Sequence, residues 1–314
     1  MRLKALKPRV LAVIYVFLLL IAAIVLISIF FPLFISARNV ANVVVQIAPL
    51  AIVSIGQAIV IIGGGVDLSV GAVISLTTVI AGYAMPPTYL GIAGGLMLIV
   101  AAALIIGLVN GLICNETNIP PLIVTLCTTG IVQGFILWYR AAPGGKVPKV
   151  LSQVIEGSSP LFSTPAIVML VLYTVFIFVT RRTRFGIHTY AMGDDEGYAR
   201  MAGINVKLTR LTSYVLSSLL AAAAGLIIAG RIRSGNPLVG SSFQLDSLTA
   251  VLVGGTPFTG GQGFVVGALA GASIVSIIRN ALNIAGVSPF YQYIAKGAIL
   301  IVAMIANSLG KKKD

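Results

Sequence analysis

Charge is scarce in this chain. Only 9% of its 314 residues are Asp, Glu, Lys or Arg, and the acids number 8. Soluble proteins carry about 25% charged residues, so a water-solvated surface is excluded. Histidine occurs once, as His188, inside the most charged segment, and cysteine twice, as Cys114 and Cys127. That inventory offers no Ser-His-Asp arrangement within the apolar segments, no metal-ligand spacing and no disulfide framework. There is no GxxxxGK[ST] loop, so ATP is not bound here by that route, and there is no HExxH. GGQGFVVG (260–267) has the glycines of a dinucleotide loop but no βαβ context around it. No catalytic residue, metal site or cofactor of the chain's own is expected.

What is present is apolar. Hydrophobic residues make up 58% of the chain and the mean hydropathy is +1.05, as in a polytopic membrane protein. The net charge of +13 raises nucleic acid as a partner, but the charges are in the wrong places. Of 21 Lys and Arg, 4 lie in residues 1–9, 6 in 181–210 and 3 in 311–313. Each group flanks a long apolar run, as basic residues do on the cytoplasmic side of a membrane. No basic face is interleaved with aromatics in the manner of single-strand binders.

The apolar runs divide the chain into about ten spans of an all-α membrane domain covering residues 1–314, at ~20 residues per span. The first lies near 10–33, too long for a signal-peptide core. The others fall near 42–63, 66–84, 89–113, 121–139, 164–180, 211–230, 248–256, 264–280 and 289–309. The eighth is short, so it reads as a half-helix or re-entrant segment. Six spans before 181 and four after it put both termini and the 181–210 segment on the cytoplasmic side. Within that segment, GDDEGYARMAGINVKL (193–208) has the pattern of a short capped helix opening at Gly193-Asp194 and closing at Gly203. It is a natural handle for a soluble partner.

One stretch organises the rest. QAIVIIGGGVDLSVGAVISL (57–76) interrupts an apolar run with Gly63, Gly64, Gly65, Asp67 and Gly71. Broken intramembrane helices are tolerated only where protein or a water-filled cavity covers the freed backbone, and an acid there is a candidate site. Two readings of Asp67 stand: an N-cap of the third span, accepting from the N–H groups of Ser69 and Val70, or a ligand for solute. Asp246, ahead of LTAVLV, has the same two. VIIGGGVDLSVGAVISL (60–76) is similar to VLVGGTPFTGGQGFVVGALAG (251–271), which contains Gly254, Gly255, Gly260 and Gly261. Interrupted segments in corresponding places of two halves point to a transport site, although glycine-rich helix starts also arise by chance in such compositions. The span count sets both breaks on the side of the 193–204 helix, as a gate near the cytoplasmic face.

Taken in order, GGGVDLSVGAVISL, RTRFG…YAMGDDEGYARMAGINV, QLDSLTAVLVGGTPFTGGQGFVVGALAGA and RNALNIAGVSPFYQ resemble the ribose-type permeases of ATP-binding-cassette (ABC) importers. The resemblance covers nearly the whole chain. It implies a multi-pass subunit of the bacterial cytoplasmic membrane, working with a second permease (the same or a similar chain). ATP and Mg would be bound by a separate ATPase subunit, and an extracytoplasmic binding protein would deliver a sugar. It further implies that Asp195, Glu196, Ala199, Arg200, Gly203 and Ile204 belong to a coupling helix that enters a groove on the ATPase. Relatives usually carry Asn where this chain has Asp195, and paired small residues where it has Gly197-Tyr198. Candidates to line the path are Asn42, Gln46, Gln57, Asn110, Gln133, Asn280 and Asn283. Arg38, Arg231 and Arg233 are candidates to dock the binding protein. The competing reading is a self-contained secondary transporter or channel.

Overall fold

The computed structural model describes residues 2–156 and 163–310. Part of the polar 140–163 connection, the Lys311–Lys313 cluster and the side chain of Lys296 lie outside the described residues. Helices α1 (Arg2–Phe30), α2 (Ala37–Ile62), α3 (Val70–Tyr83), α4 (Tyr89–Glu116) and α5 (Pro121–Tyr139) precede a short α6 (Lys149–Glu156) and α7 (Thr164–Arg182). Then come α8 (Arg184–Asp194), α9 (Glu196–Met201), α10 (Val206–Ile232), α11 (Ser241–Val253), α12 (Val265–Ile284) and α13 (Pro289–Gly310). The described residues are helical apart from connections and one isolated bridge, Gly144 to Gly235. Among the described residues six helices, α2, α4, α5, α7, α10 and α12, are long and apolar enough to cross a membrane.

α2 runs through the middle of the bundle. Every residue from Ile47 to Ile62 is buried, as befits a helix that is apolar on all sides. α10, α12, α11 and α7 surround it, and α4 and α3 pack on α10. Gly107 and Gly111 of α4 lie against Val215 and Leu211 of α10, the close approach that small residues permit between membrane helices. The outer faces of α4 and α5 carry exposed Met97, Ile105, Leu126, Ile131 and Phe135. Such a surface would be an aggregation liability in water and suits lipid.

The expected third span is shorter than 66–84. α3 has 14 residues and α11 has 13, about 21 and 20 Å at 1.5 Å per residue, against ~30 Å of hydrocarbon. Both are half-helices, and they begin at the same place. The Gly240 N–H donates to Ser75 Oγ at 3.0 Å, and a Cβ on Gly240 would stand 1.9 Å from the Gly71 carbonyl. From there they diverge. α3 runs to one end of the bundle, where the Lys146 N–H donates to the Gly82 carbonyl. α11 runs to the other, where Gly254 packs on Gly267. We refer to the end bearing the α2–α3 and α11–α12 connections and α8–α9 as the near end. At the far end Arg140 lies over the rings of Tyr83 and Tyr139, 4.6 and 5.4 Å from their centroids, the aromatic-and-charge anchor expected at that boundary.

Candidate functional site

The near end is built around one junction of backbones. α2 stops because Gly63, Gly64 and Gly65 return their N–H groups to the carbonyls of Ile59, Ile61 and Val60, with Gly64 at φ +82°. α11 stops in the same way. Gly254, Gly255 and Thr256 donate to Ala250, Leu252 and Val251, and Gly255 has φ +85°. These are Schellman turns, whose left-handed residue favours glycine. The similarity of 60–76 to 251–271 is therefore also a similarity of backbone. The two turns then meet, as the Gly261 N–H donates to the Ile62 carbonyl at 2.8 Å. Gly193, near the end of α8, lies between them. A Cβ there would stand 1.8 Å from Ile62 O and 2.6 Å from Gly261 N. Tyr190 donates its hydroxyl to the Gly263 carbonyl at 2.7 Å, and Arg181 of α7 lies over Phe264.

Asp67 is not the cap of α3. Ser69 occupies that position in a helical conformation and makes no side-chain cap bond. The Asp67 carboxylate, fully buried, accepts from the Ser69 N–H (2.9 Å) and hydroxyl (2.6 Å) through Oδ1, and from the Ser217 hydroxyl of α10 (2.7 Å) through Oδ2. This local turn competes with helix, which is why α3 starts only at Val70. Asn110 of α4 donates to Ser69 Oγ, and Thr128 of α5 donates to Asn110 Oδ1. One carboxylate thus ties the break to α4, α5 and α10. Asp246 is not a cap either. It lies within α11, 2% exposed, and pairs with Arg279 of α12.

Beside the junction sits the short helix α9. It begins at Glu196 rather than at Gly193-Asp194, because Asp195 is its cap and accepts from the Tyr198 N–H at 2.9 Å. Asp194 closes the preceding helix. Gly203, at φ +78°, ends the turn. Ala199 is buried with Met192 and Val206, and Ile204 packs against them. Glu196 bonds Arg200 at 2.6 Å and also Arg210 of α10. Burial pushes its carboxyl up, but those two guanidiniums outweigh that and hold it below the usual carboxylate range. All six residues expected in the coupling segment cap, close or brace the helix, and Asp195, Arg200 and Gly203 are exposed as they do so. The side chains that project are Tyr198 and Met201, 73% and 84% exposed. The sequence marks Tyr198 only as a departure from relatives and gives no signal for Met201 beyond the i, i+3 spacing that places the two on one face.

The seven candidate path residues do not converge. Gln57 is buried in α2 with neither amide atom bonded. Asn110 belongs to the Asp67 network. Gln133 donates to the Pro237 carbonyl. Asn280 exchanges two amide bonds with Asn39, Asn283 accepts from Gln292, and Asn42 is exposed. Gln46 alone lines a sizeable cavity, at the far end. Of the three candidate docking arginines, Arg38 is exposed. Arg233 is the left-handed C-cap of α10, at φ 57°. Arg231 lines the same cavity as Gln46.

A family profile described as branched-chain amino acid transport system / permease component matches residues 39–304. The chain belongs to that family. It is 33% identical to the ribose import permease protein of Haemophilus influenzae over 95% of this chain and 94% of that one. To the galactose/methyl galactoside import permease protein of Escherichia coli it is 35% identical, over 94% and 93%. To the fructose import permease protein of Rhizobium meliloti it is 32% identical, over 89% and 80%. No solved structure matches the chain.

Proposed function

We infer that this chain is the membrane-spanning permease subunit of an ABC importer that carries a sugar or related small polyol. The observation that carries this reading is the match, over nearly the whole length, to import permeases for three different sugars. The basic groups at 181–210 and at both ends of the chain support a cytoplasmic near end. With that orientation α9 faces an ATPase subunit in the cytoplasm, and the far end faces a binding protein that delivers solute across a bacterial inner membrane. A second permease, identical or similar, packs against the apolar outer helices.

The mechanism proposed is alternating access. ATP-driven closure of the ATPase pair shifts α8–α9, and a partner moves such an equilibrium only through differential affinity for the two states. Because Gly193 is lodged between the two Schellman turns, displacement of α8 is felt directly at both helix breaks. Tyr198 and Met201 are the anchors for the ATPase. An interfacial aromatic of this kind commonly contributes 2 kcal/mol or more, roughly thirtyfold in affinity. The test is uptake of labelled ribose, galactose and fructose by cells supplied with this chain, its ATPase and its binding protein. Tyr198→Ala with Met201→Ala is expected to abolish uptake and to release the ATPase on purification, with the bundle still folded. Sugar uptake by the purified chain alone in liposomes under an ion gradient would overturn the reading.

A further inference from the structure

The far-end cavity, of about 170 Å³, lies among α2, α10, α11 and α12. Its polar lining is Gln46, Arg231, Ser276 and Arg279, and Phe243 supplies an aromatic wall. Two features give it a chemical preference. Arg279 is already paired with Asp246, whereas no carboxylate among the described residues pairs with Arg231. Two guanidiniums against one acid exclude a metal or ammonium cation. The site therefore presents donors (both arginines), two groups that donate and accept (Gln46 and Ser276) and an apolar face on Phe243. An anion would use only the donors. A hydroxyl donates and accepts at once, and a ring bearing several hydroxyls uses the whole set while its C–H face rests on Phe243.

We propose that this cavity is a solute site within the single permease chain, receiving one sugar ring on its way from the binding protein. The proposal rests on the importer reading above and assigns Gln46, Ser276, Arg231 and Arg279 as its polar contacts. It also reassigns Arg231, expected from sequence to dock the binding protein, to the solute.

The test uses cells carrying the full chain with its ATPase and binding protein. Val239→Cys, on the cavity wall but not among the assigned polar contacts, is placed in a chain whose exposed Cys127 is Ser, and membrane-impermeant methanethiosulfonates are added outside. The sulfonate reagent is expected to react about tenfold faster than the trimethylammonium reagent, because the guanidiniums concentrate anions in the cleft. Modification is expected to stop uptake of labelled ribose, galactose or fructose, and external sugar to slow modification. Arg231→Gln is expected to remove the preference between reagents while leaving the cysteine reactive, a readout that does not depend on transport. Equal reagent rates in the parent, or full uptake after complete modification, would overturn the site. Uptake that stops on modification while external sugar does not slow the modification would overturn the solute site and leave the importer reading standing; uptake that needs neither ATPase nor binding protein would overturn the importer reading, with the reagent preference still reporting the cavity's charge.

Discussion

The two glycine breaks share one backbone turn and differ in what holds them. After Gly64 the chain is fixed by side chains, with Asp67 bonded to Ser69 and Ser217, and Ser69 in turn to Asn110. After Gly255 there is no acid. Thr256 Oγ1 is buried without a hydrogen bond, and the segment is held by the Gly261 bond to Ile62, the Tyr190 hydroxyl on Gly263 and Arg181 over Phe264. The first break is thus anchored to the transmembrane bundle and the second to the segment leading into α9. In the importer mechanism proposed above, equivalent turns placed between different partners would convert movement of a surface helix into relative movement of two half-helices.

The comparison breaks most completely at Gly193. Gly193→Val places a side chain against Ile62 O and Gly261 N, and the backbones must part. Overpacking of this kind costs ~1–3 kcal/mol or more. Uptake is expected to be lost and the thermal unfolding midpoint to fall, with α8 detached from both breaks in hydrogen exchange. Next in size is Asp67. Asp67→Ala leaves Ser217 and the Ser69 N–H without their acceptor, at about 1–3 kcal/mol for each buried group stranded. Asp67→Asn keeps one carbonyl acceptor and is expected to lose less than half as much. If both variants transport and melt like the parent, the anchoring of the first break is not what distinguishes it.

The smallest effect is a pH dependence confined to α9. The Glu196 carboxyl is held below its usual range by Arg200 and Arg210. Its contribution is therefore fully present above the ordinary carboxylate value of about 4.3 and is lost as pH falls through the lowered folded value. Amide protection of residues 196–202 is expected to be constant from neutral pH to about that value and to fall below it. Arg210→Ala is expected to move the fall to higher pH. Protection that declines steadily from neutral pH would show that the ion pairs do not brace α9.

Helix ends were legible in the sequence wherever glycine or proline marked them. The stops at Ile62, Tyr83, Glu116 and Val253 fall beside Gly63, Pro86, the Asn115–Asn118 turn and Gly254, since these residues end helices by backbone chemistry alone. The half-helix α11 was legible for the same reason. The half-helix α3 was not. The start at Val70 follows the Asp67–Ser69 turn, and that turn is held in place by the Ser217 hydroxyl, 150 positions away, a bond that no local pattern contains. The α9 segment was legible as a helix, but the residues singled out in it were those that build it. Which side chains project depends on Ala199 being buried against Met192 and Val206.

By itself the sequence determined that this protein lives in a membrane, where glycine ends its helices, and the family to which it belongs. Those properties follow from composition and from short-range backbone preference. Tertiary structure alone decided that the two breaks and Gly193 form one junction, that Asp246 answers Arg279, and that Gln46 and Arg231 share a cavity. Each joins residues far apart in the chain, and only packing brings them within reach of one another.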